Sequence, residues 1–167
     1  YTPTSGIWQT VWLETTGDVS IDEIRMTPDI DKKQLMIQGV LDSFSEPMML
    51  KIKVLYKGNM VNKLKVSLFD RIFKVTLDVK EEDYIDEVHY WTPESPNLYD
   101  IEFELLKEDM VVDRVKSYFG MRKISVKDDI ILLNNRPYYQ RLILDQGYWP
   151  ESLLTPPSDD AIRYDIE

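Results

Sequence analysis

Apolar and polar residues alternate with a period of two over much of the chain, and the alternation stops at charged or Asn, Gly and Pro turns. The clearest case is Leu50, Ile52, Val54 and Tyr56, interleaved with Lys51 and Lys53 and ending at Lys57-Gly58-Asn59. Successive side chains of a strand point to opposite faces, so this segment has one wet face and one buried face. Ile21, Ile24 and Met26 predict an earlier strand, broken at Pro28-Asp29, and residues 35–41 predict another. Leu64, Val66 and Leu68 continue the pattern, followed by Phe73, Val75, Leu77 and Val79 alternating with Lys74, Thr76, Asp78 and Lys80. Tyr99, Ile101, Phe103 and Leu105 alternate with Asp100, Glu102 and Glu104, and a charged turn at Lys107-Glu108-Asp109 leads into residues 111–118. About seven strands in roughly one hundred residues predict an all-β fold, an immunoglobulin-like antiparallel β-sandwich.

The two ends follow other patterns. Residues 7–14, IWQTVWLE, put Trp8 and Trp12 on one face of a predicted strand and Ile7, Val11 and Leu13 on the other, so this strand expects cover on both sides. Residues 132–150, LLNNRPYYQRLILDQGYWP, predict a hairpin feeding a buried strand. Paired Asn residues tolerate the positive φ of a tight turn, and Tyr138, Leu142, Ile143 and Leu144 supply the apolar run. That run opens into Asp145, Gln146, Tyr148 and Trp149, where polar groups suited to hydroxyls stand beside a ring suited to a sugar's apolar face. Residues 155–167 predict a short helix with Ser158 as N-cap, Asp159 and Asp160 in its first turn, and Ile162 and Ile166 on one side.

Composition narrows the function classes. The 167 residues carry 30 acidic and 20 basic side chains, a formal charge of -10, which argues against nucleic acid as a partner. Zero cysteines exclude disulfides and thiolate metal sites and leave the compartment open. No apolar run approaches the roughly 18 residues of a membrane span. The chain starts at Tyr1 and closes at Glu167 within the predicted helix, so both ends read as cut. Apolar side chains at Trp8, Trp12 and Ile162 are then expected to promote dimers.

Four stretches, in order, resemble glycoside hydrolase family 2, which includes β-galactosidases and β-glucuronidases. Ser5-Gly6-Ile7-Trp8 with Val11 and Leu13 is similar to the last strand of that family's N-terminal sugar-binding jelly roll. WTPESPNLY, residues 91–99, resembles the segment leading into a late strand of the immunoglobulin-like middle domain. Residues 118–124, YFGMRKI, resemble the segment closing that domain, and Leu133-Asn134-Asn135-Arg136-Pro137 with Arg141 resembles the start of the catalytic (β/α)8 barrel. The resemblance implies residues 1–16 as the end of the jelly roll, 17–126 as the sandwich, and 127–167 as the first barrel strand and helix. It also implies a parent enzyme that hydrolyses β-glycosides or oligosaccharides with retention, whose two catalytic glutamates lie beyond residue 167. This chain would then be non-catalytic, with the neighbouring jelly-roll and barrel domains as its partners and no cofactor or metal. Asp145, Gln146 and Trp149 would contact substrate in the parent. Where the family's galactosidases and glucuronidases typically carry Asn and His after the first barrel strand, this chain has Leu144-Asp145-Gln146, a departure that bears on substrate choice.

The residues themselves carry little other chemistry. His89 is the only histidine and no Gly-x-Ser-x-Gly elbow presents a nucleophile, so it reads as a surface histidine near a strand. Glu81-Glu82-Asp83 and Asp128-Asp129 lack calcium-loop spacing and read as solvated turns. Met48, Met49 and the other methionines fit core filling. Trp91 is expected to cap the sandwich, and Gly120 to permit a bend at its margin. Rival readings are a stand-alone immunoglobulin-like carbohydrate-binding or adhesion module, and a hydrolase homologue that binds sugar without cleaving it.

Overall fold

The computed structural model describes residues 6–7, 9–79 and 88–167; Ser5, Trp8 and the acidic run Glu81-Glu82-Asp83 lie outside the described residues. Two compact units emerge: Thr16–Tyr139, and the pair of segments Tyr1–Thr15 and Gln140–Glu167.

The larger unit is an immunoglobulin-like sandwich. Its strands are β1 (Ile21–Asp29), β2 (Gln34–Leu41), β3 (Met48–Tyr56), β4 (Asn59–Leu68), β5 (Ile72–Asp78), a two-residue pair β6 (Trp91–Thr92) and β7 (Ser95–Pro96), then β8 (Tyr99–Lys107) and β9 (Met110–Phe119). One sheet has the order β1-β2-β5 and the facing sheet β4-β3-β8-β9, with antiparallel neighbours throughout. A meander of β10 (Ile124–Lys127), β11 (Ile130–Leu133) and β12 (Arg136–Pro137) follows within the same unit.

The period-two pattern produces this arrangement directly. Along β3, Met48, Leu50, Ile52, Val54 and Tyr56 are buried while Met49, Lys51, Lys53 and Leu55 are not. Leu35, Ile37, Leu41, Phe73 and Leu77 from the three-stranded sheet share one core with Leu50, Ile52, Ile101, Phe103 and Leu105 from the other. Burying each such side chain contributes about 1.5–3 kcal/mol, and this closes the two sheets on each other.

Hairpins at four places use two-residue turns with both φ positive, the geometry that matches strand twist. They fall at Lys57-Gly58, Glu108-Asp109, Asp128-Asp129 and Asn134-Asn135. The sheet edges are tied by side chains: the Ile21 N–H donates to Asp113 Oδ2 at 2.8 Å, and Asn62 Nδ2 donates to the Asp78 carbonyl at 2.7 Å.

Tyr99, at the start of β8, is fully buried, and its hydroxyl accepts the His89 N–H at 2.7 Å, fastening the connection that precedes it. The His89 ring is half-buried and stacks on Tyr56, with ring centroids 3.8 Å apart.

Three expectations need correction. Pro28-Asp29 does not break the first strand, which pairs through Pro28 with Leu35. β1 lies at a sheet edge, where a residue without an N–H is tolerated. Residues 9–14 form no strand, and Val11, Trp12 and Leu13 are 71%, 67% and 99% exposed. Residues 138–144 form no buried strand either: the hairpin stops at Pro137, and Leu142, Ile143 and Leu144 are 78%, 87% and 87% exposed. A strand requires a ladder partner, and among the described residues no strand pairs with these two; the β11 contact ends with the Tyr138 N–H, which donates to the Ile131 carbonyl at 3.0 Å.

Candidate functional site

In the larger unit, polar chemistry gathers where the sandwich meets the meander. Asn134 sits at φ 51 in the β11–β12 turn, a conformation Asn tolerates because its short side chain bonds locally. Its Oδ1 accepts the Lys123 N–H at 3.0 Å, and its Nδ2 donates to the Trp91 carbonyl at 2.9 Å. Neighbouring Asn135 donates through Nδ2 to Asp31 Oδ1 at 2.7 Å, while Lys123 Nζ donates to Asp31 Oδ2 at 2.5 Å. The hydrogen bond from Lys123, then that from Asn135, hold the Asp31 carboxyl below its ordinary pKa.

Trp91 is half-buried, and the Arg122 guanidinium stands 4.7 Å from its ring centre. Its side chain also explains Gly120, where an added Cβ would lie 3.3 Å from Trp91 Cβ. A side chain there would require the indole to give by a few tenths of an ångström. Tyr138 donates to Glu94 Oε1 at 2.9 Å, linking the chain after β12 to the β6–β7 loop.

A shallow groove of about 400 Å³ runs beside this cluster, lined by Thr27, Asp29, Asp31, Gln34, Thr76 and Lys123 among others. Its charged walls are already paired, Asp31 with Lys123 and Asp29 with Lys32. The arrangement holds elements together.

The sequence reading recognised the Asn-Asn turn but missed Asp31 and the reach of Asn134 to Trp91. The partners stand 43 residues apart for Asn134 and Trp91 and 104 for Asn135 and Asp31. Only the packing of the meander brings them together, so no local signal announced them.

The three residues expected to face substrate lie in the smaller unit, on one exposed segment. Asp145 Oδ1 accepts the Gly147 N–H at 2.8 Å, an Asx turn made possible by Gly147 at φ 62. Gln146 is exposed, and Trp149 is half-buried. The Trp149 N–H donates to the Leu153 carbonyl at 2.8 Å and its carbonyl accepts the Leu153 N–H at 3.0 Å, closing a five-residue loop. The Ser152 hydroxyl donates to the Thr155 carbonyl just beyond. A carboxylate, an amide and an indole within five residues can hydrogen-bond hydroxyls and cover a ring. The segment ends in α1 (Asp159–Ile166), whose N-cap Ser158 accepts the Ala161 N–H at 3.1 Å. Among the described residues no group of three or more His, Asp or Glu is placed to hold a metal ion.

Comparison with known proteins gives a consistent set of likenesses. The family model described as glycosyl hydrolases family 2 matches residues 19–122. A putative β-glucuronidase of Formosa agariphila is 26% identical over 74% of this chain and 15% of its own length. A β-galactosidase of Vibrio vulnificus is 25% identical over 95% of this chain and 16% of its own. The chain thus spans about one-sixth of those curated relatives. In fold it matches the β-glucuronidase of Ruminococcus gnavus solved with D-glucuronic acid, at a TM-score of 0.61 and 15% identity over 83% of this chain and 22% of that one.

Proposed function

The chain belongs to family 2 of the glycosyl hydrolases, and from that premise we propose that it is a non-catalytic scaffold within a hydrolase of O-glycosidic bonds, a retaining β-glycosidase of the β-galactosidase-like kind. The observation that carries this reading is the Asn134 bridge, which fixes the meander to the sandwich through Lys123 and Trp91. A rigid sandwich with a clamped exit can hold an N-terminal domain at a set position relative to a C-terminal one. Residues 1–16 then belong to a sugar-binding jelly roll and residues 127–167 to the first strand and helix of a barrel.

Retention needs an acid and a nucleophilic carboxylate about 5–5.5 Å apart across the scissile bond. Both lie outside these residues. Asp145, Gln146 and Trp149 form one wall of the parent's site, where barrel active sites gather at strand C-terminal ends. A carboxylate and an amide, Asp145 and Gln146, in place of the usual Asn and His set this wall apart from that of the familiar galactosidases and glucuronidases.

A panel of aryl β-glycosides, offered to this chain and to the full polypeptide encoded by its gene, tests the reading. The expected result is turnover by the longer protein alone, lowered at least tenfold in kcat/KM by Asp145→Ala or Gln146→Ala. Turnover that co-purifies with residues 1–167 refutes the non-catalytic assignment.

A further inference from the structure

The outward face of the four-stranded sheet carries two rows of charge that neither the core nor the scaffold reading requires. Register sets Lys65, Lys51, Glu104 and Arg114 side by side across β4, β3, β8 and β9, and Lys63, Lys53, Glu102 and Lys116 in the next row. Six basic side chains therefore share this face with Glu102, Glu104 and, at its end, the exposed Asp100, on a chain whose 30 acidic residues outnumber its 20 basic ones.

Both glutamates are occupied. Glu104 Oε1 lies 2.9 Å from Arg114 Nη2 and 3.7 Å from Lys53 Nζ, and Glu102 Oε1 lies 3.1 Å from Lys116 Nζ. Among the described residues Lys65 reaches only Asp109, 3.8 Å away on the exposed β8–β9 turn. Among the described residues Lys51 and Lys63 have no ion pair.

Lys65 stands directly opposite Lys51, and Lys63 directly opposite Lys53. Like charges at facing positions destabilise a sheet. Strand spacing sets the four stems on a grid of about 5 by 7 Å, a concentration of positive charge on an otherwise acidic protein. In phase with Arg114 and Lys116 along β9, Tyr118 presents a ring that is 65% exposed at the end of the same face, opposite Asp100 and one step beyond the lysine rows.

The geometry points to an anionic polysaccharide, bearing carboxylates or sulfate esters, as the occupant of this face. A second copy docking through the same patch would set lysine against lysine, because a two-fold contact is self-complementary. Duplex DNA carries a charge every ~1.7 Å, and the net negative charge of the protein opposes it. A glycan carries charge less densely, and it offers ring faces that suit Tyr118. Choosing a glycan among polyanions rests on the carbohydrate reading above; the charge argument does not.

Titration calorimetry of the intact chain with polygalacturonate and with dextran sulfate tests the proposal, with neutral dextran and polyadenylate as comparators. Binding to at least one acidic glycan is expected at about 50 mM NaCl, weakened at least tenfold by the Lys51→Gln/Lys63→Gln double variant and weakened again at about 200 mM NaCl. Lys127→Gln, on β10 and off this face, should bind like the parent chain. The double variant should melt no lower than the parent chain, since repulsion between facing lysines is relieved, and this separates lost binding from lost folding. Absence of binding to both acidic glycans, equal binding by the double variant, or binding to polyadenylate at least as tight overturns the assignment. None of these results bears on the turnover assay, which reads the scaffold proposal independently.

Discussion

Gly39 offers the sharpest test of how the core is built. It faces inward on β2, directly opposite Phe73 on β5, and the Phe73 ring, 5% exposed, fills the space a side chain would take. A Cβ placed on Gly39 would lie 2.2 Å from Phe73 Cζ and 2.7 Å from Cε1. Gly39→Ala therefore forces the ring off its rotamer or shifts the strand, overpacking that costs about 1–3 kcal/mol. Against this, alanine is favoured over glycine inside a strand by about 0.5–1 kcal/mol. The steric cost is larger, so the net expectation is destabilisation by about 1–2 kcal/mol, or roughly 4–8 °C in Tm for a unit of this size. Urea and thermal denaturation of Gly39→Ala, Phe73→Leu and the double variant measure it. Phe73→Leu alone opens a cavity, whereas in the double variant the smaller side chain relieves the clash with the added methyl. The double variant should therefore be more stable than the sum of the single losses by about 1 kcal/mol or more. A neutral Gly39→Ala, or strict additivity in the cycle, refutes the claim that the ring and the glycine are a matched pair.

Asn134→Ala removes an acceptor from the Lys123 N–H and a donor from the Trp91 carbonyl, and puts alanine at positive φ; a loss of about 2–3 kcal/mol is expected by denaturant melting. Asn134→Gly restores only the backbone freedom and should fall between the alanine variant and the parent, so equal values for both variants would count against the bridge. Asp31, held low by its hydrogen bonds from Lys123 and Asn135, should show a carboxyl NMR titration midpoint below that of an ordinary aspartate, moving up in Lys123→Gln. Because the folded pKa lies below the unfolded one, its contribution to stability is present above the ordinary aspartate pKa and is lost as pH falls through the folded value. Tyr99→Phe takes the hydroxyl acceptor from the His89 N–H and should cost about 1–3 kcal/mol in melting experiments while leaving the near-ultraviolet signature of a packed sandwich intact.

The sandwich was legible in the sequence because each strand carries its own burial code. Leu50, Ile52 and Val54 announce a half-buried strand whatever their partners are, and so do Ile101, Phe103 and Leu105. Pairing order and register are different in kind. The lysine rows exist only because β4, β3, β8 and β9 align Lys65 with Lys51, Glu104 and Arg114, residues far apart in sequence. The Asn134 bridge is hidden for the same reason, since its turn is a local feature while its grip on Trp91 depends on where the meander packs.

The ends show where a local code fails. A helix satisfies its backbone within one segment, so Ser158 and the acids of the first turn sufficed to place α1. A strand satisfies its backbone only through a neighbour, so apolar content at residues 9–14 and 138–144 predicted strands that do not form here. The position of Asp145, Gln146 and Trp149 follows from that contrast. Their geometry rests on an Asx turn and a Trp149–Leu153 bridge, both local, while the strand expected to aim them is unpaired. Under the scaffold proposal, a neighbouring barrel strand supplies that ladder and orients the three side chains together. Substituting the exposed Leu142 or Leu144 with serine should then leave the melting of this chain unchanged and impair the parent enzyme, because only the parent would bury them.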